Sequence, residues 1–561
     1  MKNKYTRLTP LMLAIAMVIG VVVGSFYSNH FSGNKLAIIT TGNNKINDLM
    51  HLINDQYVDS ISVNDIVEKV VPKFLKELDP HSTYISSKDV EASMQELQGS
   101  FQGIGVQFAI HNDTVCILKI IEGGPSEYVG LKPGDRIVYV GDSLYVGKGV
   151  VTNESTLKLL KGVAGTTVEL KIKRKGENDL LSFVIERGNV PLRSIDAVYM
   201  LNDSIGYIRI TNFAEQTYTE FVVALAHLQS ANFKSLVLDL RGNVGGYMHP
   251  AVLIANEFLP KGRKIVYTEG RHSPRSETYS DGMGLYKNIP LVVLVDEGSA
   301  SASEILAGAL QDNDRASIVG RRTFGKGLVQ VPIEFKDGSM LRLTTARYYT
   351  PSGRCVQKPY ALGEENNKTY DHDLVERALH GEYFSADSIK TRGDAYQTFG
   401  GRTVYGGGGI IPDYFIPRDT LGMTTYFREL YSTTLPHDFT FNFVDKNRDL
   451  LQSQETLTDL VEEVRKLRPM NQLIKYAEKH GVKRRNLMIR KSYTIIERYQ
   501  LIQIIDQVLG TRYAVQFENQ TDPAVLKAVE LINAGDAFPE TSQVLDKQVN
   551  EDNIAQTNAS T

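Results

Sequence analysis

Leu291-Val-Val-Leu-Val295-Asp-Glu-Gly-Ser-Ala-Ser301-Ala-Ser-Glu304-Ile-Leu-Ala-Gly-Ala-Leu310 decides how this chain is read. Leu291–Val295 is an uninterrupted apolar run of strand length, as expected where a strand is buried on both faces. A polar turn follows, and from Ser301 to Leu310 the apolar residues recur at helical spacing. Strand, tight turn and helix in that order make one unit of an α/β core, and such turns expose side chains at the sheet edge. Ser301 then stands at the positive end of a helix, beside free backbone N–H groups. Those donors can meet the oxyanion formed when a serine attacks an acyl carbon. Taken alone, however, Ser301-x-x-Glu304 is also a capping box, and capping is the plainer use of a serine there.

Working outward, strands and helices alternate from Ser204 to about Pro417. Ile205–Thr211 reads as a strand, Thr217–Gln229 as a helix, and Ser235–Leu240 as a buried strand ending in Arg241-Gly-Asn-Val-Gly245-Gly246. Pro250–Leu259 is a helix, Ala316–Gly320 and Leu328–Ile333 are strands, and Gly406–Ile411 with Pro412-Asp413 close the unit. Gly320-Arg-Arg-Thr-Phe-Gly325-Lys326-Gly327 has the outline of a phosphate loop, but such a loop needs Ser or Thr after the lysine and then a helix. Gly327 and the strand from Leu328 stand there instead. A lysine between two glycines lets backbone approach on both sides and strip its water. An exposed lysine has a pKa of about 10.4. Burial brings it down towards roughly 7, where a neutral amine can take the proton of Ser301 as a general base.

On the N-terminal side, from Phe101 to about Glu186, the period is that of strands. Gly103-Ile104-Gly105-Val106-Gln-Phe-Ala-Ile110 leads into Thr114–Ile120. Pro125 opens a short helix ending at Gly130, Ile137–Val140 is a strand, Asn153–Leu160 a helix, and Thr167 to Lys173 alternates. With Gly130-Leu-Lys-Pro-Gly-Asp-Arg-Ile-Val-Tyr-Val140, this stretch resembles a bacterial PDZ domain. Gly103, Ile104, Gly105 and Val106 fall at its carboxylate-binding loop, where consecutive N–H groups converge on a peptide terminus and the next strand edge pairs with the peptide. The simpler reading of Gly103 and Gly105 is a tight strand entry.

Ser299-Ala-Ser301-Ala-Ser303-Glu304 together with Thr323-Phe-Gly-Lys326-Gly-x-Val-Gln330 resembles the active-site pair of the carboxyl-terminal processing peptidases, which are tail-specific serine endopeptidases. The resemblance runs from about Leu78 to Asp413 and includes the PDZ insertion and Gly406-Gly-Gly-Gly-Ile-Ile-Pro-Asp413. It implies Ser301 as nucleophile, Lys326 as base and Gln330 as the residue orienting the lysine. It also implies an oxyanion hole from Gly245, Gly246 and the Ala302 N–H, and structural roles for Glu304 and Asp312. Neither metal nor organic cofactor is implied. Cys355 departs from the family pattern, in which serine is common.

The expected architecture is an α/β protease core, a mixed sheet with helices, carrying an inserted PDZ domain. The boundaries read as a signal segment 1–30, an N-terminal helical segment 40–98, PDZ 99–190, protease core 191–420, C-terminal helical region 421–537 and polar tail 538–561. The helical region has no chemical task legible in its residues, and leaves oligomerisation or an activating adaptor open. Lys2, Lys4 and Arg7 before the uncharged run Leu11–Gly24 have the layout of an export signal. Leu8–Tyr27, about 20 residues, is near the minimum for a membrane span. The expectation is an uncleaved anchor with the rest of the chain on the periplasmic side of a bacterial inner membrane. The expected partners are protein or peptide substrates with free, apolar C-termini.

The 561 residues carry a net charge of −3, which gives no electrostatic case for nucleic acid. Two cysteines, Cys116 and Cys355, are too few for a disulfide framework and read as unpaired thiols. Rival chemistries find less support: His249 follows the glycine loop, but there is no Gly-x-Ser-x-Gly elbow and no His-Glu-x-x-His. A PDZ scaffold without catalysis would have no use for Ser301, Lys326 and Gln330 together.

Overall fold

The computed structural model describes residues 14–22, 45–363, 368–390 and 393–539. The chain divides into two units, residues 1–73 and 74–561. In the first, residues 14–22, Lys45–Gln56 and Val63–Lys76 are helical, the last helix running past the unit's edge. No described helix is long and apolar enough to cross a membrane. The expected anchor Leu8–Tyr27 lies outside the described residues except for 14–22, and so does the expected polar tail beyond Pro539.

The second unit is built on a six-stranded sheet. Its elements are β1 (Ile195–Met200), β2 (Ile205–Ile210), α1 (Thr217–Ser230), β3 (Ser235–Asp239), α2 (Met248–Phe258), β4 (Lys264–Glu269), β5 (Ser276–Tyr279), β6 (Leu291–Val295), α3 (Ala302–Asp312), β7 (Ser317–Gly320), β8 (Leu328–Glu334), β9 (Met340–Tyr349) and β10 (Tyr414–Phe415). The sheet order is β1-β2-β3-β6-β7-β10, antiparallel at β1–β2 and parallel elsewhere. All five residues of β3 and all five of β6 are buried. The continuous apolar runs follow from this, because successive side chains point to opposite faces and both faces are covered. Leu291, Val293 and Val295 pack under α1, α2 and α3. Val292 and Leu294 point the other way, to Val515, Val525, Ala528 and Leu531.

Those last residues come from helices Thr511–Asn519 and Pro523–Ala534, which the sequence reading grouped with the C-terminal helical region. The structure divides that region. Thr425–Tyr431, Leu435–Lys446, Leu457–Lys466, Pro469–Lys479 and Asn486–Val508 enclose a core of their own, while the final two helices roof the far face of the sheet. The long helix begins at Asn486 rather than at Tyr493.

A second sheet joins Thr83–Ile85, β9, β4 and β5, with β8 also paired to β9. Between β9 and β10 the chain makes an excursion, residues 358–405, holding helices Lys368–Asp371 and Asp373–Leu379 and the hairpin Ala395–Gln397/Thr403–Tyr405.

In the region read as PDZ, Thr114–Ile120 and Asn153–Leu160 fall where their periodicity put them. The strand expected over 103–110 is broken, because Gly105 takes φ +78° and turns the chain. Ser100–Gly103 instead pairs with Gly188–Pro191, tying together the two ends of the inserted domain. Val106–His111 then forms an edge of the domain's sheet, pairing only with Thr114–Ile120 among the described residues.

Candidate active site

The carboxyl ends of β3 and β6 place two loops side by side. Asp296, at the end of β6, accepts N–H bonds from Gly242 (2.8 Å) and Gly298 (3.0 Å), one from each loop. Asn243 clamps them further: its carbonyl accepts from Ala300 N–H and Ser303 Oγ, each at 2.9 Å. Glycine is required where the loops meet. A Cβ on Gly245 (φ +102°) would lie 2.7 Å from Ser301 Cβ, and one on Gly246 (φ +143°) 2.1 Å from the Phe213 carbonyl oxygen.

Ser301 precedes α3 with φ 55° and ψ −113°, in the left-handed half of backbone space that a non-glycine residue rarely occupies. Such a conformation costs on the order of 1–3 kcal/mol and persists only where its surroundings over-determine it. They do here. Its N–H donates to Glu304 at 2.9 Å, and its carbonyl accepts from Ile305 N–H and from the Tyr348 hydroxyl, both at 3.0 Å. The capping-box reading is realised in the Glu304 arm, whose carboxylate takes the Ser301 N–H.

Glu304 does more than cap. Fully buried, it also accepts from Thr323 Oγ1 (2.6 Å), Gly325 N–H (2.7 Å) and Lys326 N–H (2.9 Å). One carboxylate therefore holds the serine and the lysine loops together. Burial pushes its pKa up, and the hydrogen bonds from Thr323, Lys326, Gly325 and Ser301 oppose that rise. Tyr348, also buried, shares its hydroxyl proton between the carbonyls of Ser301 and Lys326, the latter at 2.5 Å.

Lys326 is half-buried. Loss of water, then the Arg342 charge, holds its ammonium below the usual lysine value; Glu304 and Asp79 pull the other way. Its Nζ donates to Gln330 Oε1 at 3.2 Å. No hydrogen bond joins Nζ to Ser301 Oγ among the described residues. The Ala302 and Gly246 N–H groups have no hydrogen-bond partner among the described residues, whereas Gly245 N–H is taken by Asn243 Oδ1 at 2.9 Å. Of the three expected oxyanion residues, Gly245 therefore supplies room and the other two supply free donors. The expected supporting acid Asp312 lies at the far end of α3, in a buried ion pair with Arg354 at 2.7 Å. His249 is exposed on the first turn of α2, and its side chain makes no hydrogen bond among the described residues. Gly103, Ile104 and Gly105 are buried in the PDZ loop, with Val106 partly covered at the start of the edge strand.

Sequence reasoning missed the loop Asp79-Pro-His-Ser82, read only as a connector. Its Asp79 carboxylate accepts from His81 N–H, Ser82 N–H and Ser82 Oγ at 2.8, 2.8 and 2.6 Å. The His81 carbonyl accepts from Gln330 Nε2. Its signal was the Asp-x-x-Ser spacing, which places a carboxylate to cap its own turn.

Comparison with known proteins gives matches along much of the chain. The model of "Peptidase family S41" matches residues 204–363, that of "PDZ domain" residues 102–184, and a "Family of unknown function" residues 426–510. The last stops short of the two helices on the protease sheet. The carboxy-terminal processing protease CtpB of Bacillus subtilis is 34% identical over 56% of this chain and 65% of its own length, just under two thirds. A carboxy-terminal-processing protease of Bartonella bacilliformis is 34% identical over 60% of this chain and 79% of that protein. Among solved structures, a photosystem II D1 C-terminal processing protease is 28% identical, covering 55% of this chain and 88% of that one, with a TM-score of 0.31.

Proposed function

The chain belongs to the carboxy-terminal processing proteases, serine-type peptidases of family S41 that here carry a PDZ domain, and from that we propose that it cuts polypeptides with a Ser301–Lys326 dyad. The observation that carries this reading is the Glu304 carboxylate, which binds the backbone of both residues at 2.9 Å.

The lysine works in its neutral form, which desolvation favours. On substrate binding, Nζ turns from Gln330 towards Ser301 and takes the Oγ proton as Oγ bonds to the scissile carbonyl carbon. The carbonyl π electrons move to oxygen, and that oxyanion is met by the N–H groups of Ala302 and Gly246. The ammonium returns its proton to the departing amine, leaving an ester on Ser301. Lys326 then deprotonates a water that attacks the ester, restoring the serine. Contacts that are loose without substrate and tighten with it are usual for such pairs.

Substrates are exported proteins with free, apolar C-termini, held by the N–H groups of Gly103–Val106 and paired along the Val106–His111 edge. The Leu8–Tyr27 segment anchors the enzyme, placing it at the outer side of a bacterial inner membrane.

The test is an unfolded reporter with an apolar tail, incubated with wild type, Ser301→Ala and Lys326→Ala, each repeated with a C-terminally amidated reporter. Cleavage by wild type alone, weakened by amidation, is expected. Equal cleavage of free and amidated tails would contradict tail recognition, and cleavage by either variant would contradict the dyad.

A further inference from the structure

We infer that Tyr370 and His81 are positioning residues for Lys326, and that the excursion 358–405 exists in part to hold them against the lysine loop. This rests on Lys326 being the base. Gln330 can present either its oxygen or its nitrogen to the amine. Because the His81 carbonyl only accepts, it takes Gln330 Nε2–H and forces Oε1 towards Lys326 Nζ, 3.2 Å away. The side chain of His81 is fixed in turn by the excursion. Its Nε2 lies 2.5 Å from the hydroxyl of Tyr370, which is 4% exposed, and the two rings meet edge to face at 5.4 Å.

The same segment grips each residue before the lysine. Arg377 donates to the carbonyls of Thr323 (2.7 Å) and Phe324 (3.1 Å), and Lys358 N–H to that of Gly325 (2.9 Å). The buried Lys358 Nζ sits 4.0 Å from the ring centres of both Phe324 and Tyr370, welding them together. The charged groups facing Lys326 are Arg342 on β9, Glu304 on α3 and Asp79 before Thr83–Ile85. Those facing His81 are Lys326, Asp79 and Lys358. Burial, ahead of those charges, lowers His81 to about 4, so near neutrality its ring carries no charge.

The experiment measures kcat and KM of the full chain from about pH 6 to about pH 11, bracketing the lysine range, for wild type, Tyr370→Phe, His81→Phe and Lys326→Ala, with melting temperatures. Tyr370→Phe keeps the ring and loses the hydroxyl; His81→Phe keeps the carbonyl and loses Nε2. In both, kcat is expected to fall by about tenfold or more with KM little changed, since small misplacements of a catalytic group are costly. The acid limb is expected to move to higher pH, because water reaching the amine raises its pKa. An unmoved limb in both variants, whether kcat holds or falls only with melting temperature, overturns the inference. Activity in Lys326→Ala would overturn the base assignment itself, a result separable from the first because it does not depend on Tyr370.

Discussion

A carboxylate that accepts four hydrogen bonds cannot be exchanged for an amide without turning a donor against a donor. Glu304→Gln does this at the point where the serine and lysine loops meet. It should cost about 2 kcal/mol in denaturant melts and lower kcat/KM by about 100-fold, with no change in tail binding. Gly245→Ala has a different cause and a similar result. Its Cβ would sit 2.7 Å from that of Ser301, so turnover should be lost while KM stays near wild type. The pH dependence has a fixed sign. With Lys326 as the proposed base, which acts when neutral, the rate is expected to rise with pH through its pKa, which lies below the ordinary lysine value. Arg342 helps hold it there, so Arg342→Gln should raise that pKa and move the acid limb of kcat/KM to higher pH; a limb moving to lower pH would contradict this electrostatic assignment. Ser301, Lys326 and Gln330 stood out as candidates because their motifs are local. Glu304 was legible as a cap and, through the family resemblance, as a structural acid, but not as the clamp on both loops; His81 and Tyr370 were not legible at all, since their contacts join segments far apart in the chain.

Among the elements, those with a clean period were readable and those with shared edges were not. Thr167–Lys173 alternates and is a strand; Asn153–Leu160 has helical spacing and a Thr152 cap, and is a helix. β9 escaped notice because Arg342, Thr344, Thr345 and Arg347 interrupt its apolar pattern; it is paired along both edges, to β8 on one and to Thr83–Ile85 and β4 on the other. The excursion 358–405 was equally opaque: its buried residues include Lys358, Asp373, Arg377 and Glu382, types that a sequence places at the surface. The PDZ domain meets the helical region through Arg136–Asp445 and Lys119–Asp506, both at 2.7 Å, and through Lys175 Nζ on the carbonyls of Asp445 and Lys446. These pairs are partly solvated and worth about 1 kcal/mol or less each. Asp445→Lys should therefore leave the melting temperature of the core unchanged while speeding hydrogen exchange in Leu435–Lys446; unchanged exchange would mean the contact does not hold the domain.

At the scale of the whole molecule, the protease sheet is finished by the end of the chain. Helices Thr511–Asn519 and Pro523–Ala534 bury Val237, Val292, Leu294 and Val319, so residues beyond the matched peptidase stretch are part of its core. Val525→Asp, at a position 1% exposed, should destabilise the protease core by about 3 kcal/mol or more, because a carboxylate is stranded there without a partner. Loss confined to the helical core around Leu473 and Ile504 would contradict this division. The α/β order was legible from its alternating runs; which helices covered the far face was not, because an amphipathic helix does not name its partner.

The most direct measurement is single-turnover cleavage by Lys326→Arg beside wild type near neutral pH. Arginine keeps the positive charge and much of the length, yet its guanidinium stays protonated and cannot act as a base. A Ser301–Lys326 dyad requires the variant to bind the reporter as wild type does and to cleave nothing. Cleavage at a substantial fraction of the wild-type rate would mean that another group takes the serine proton.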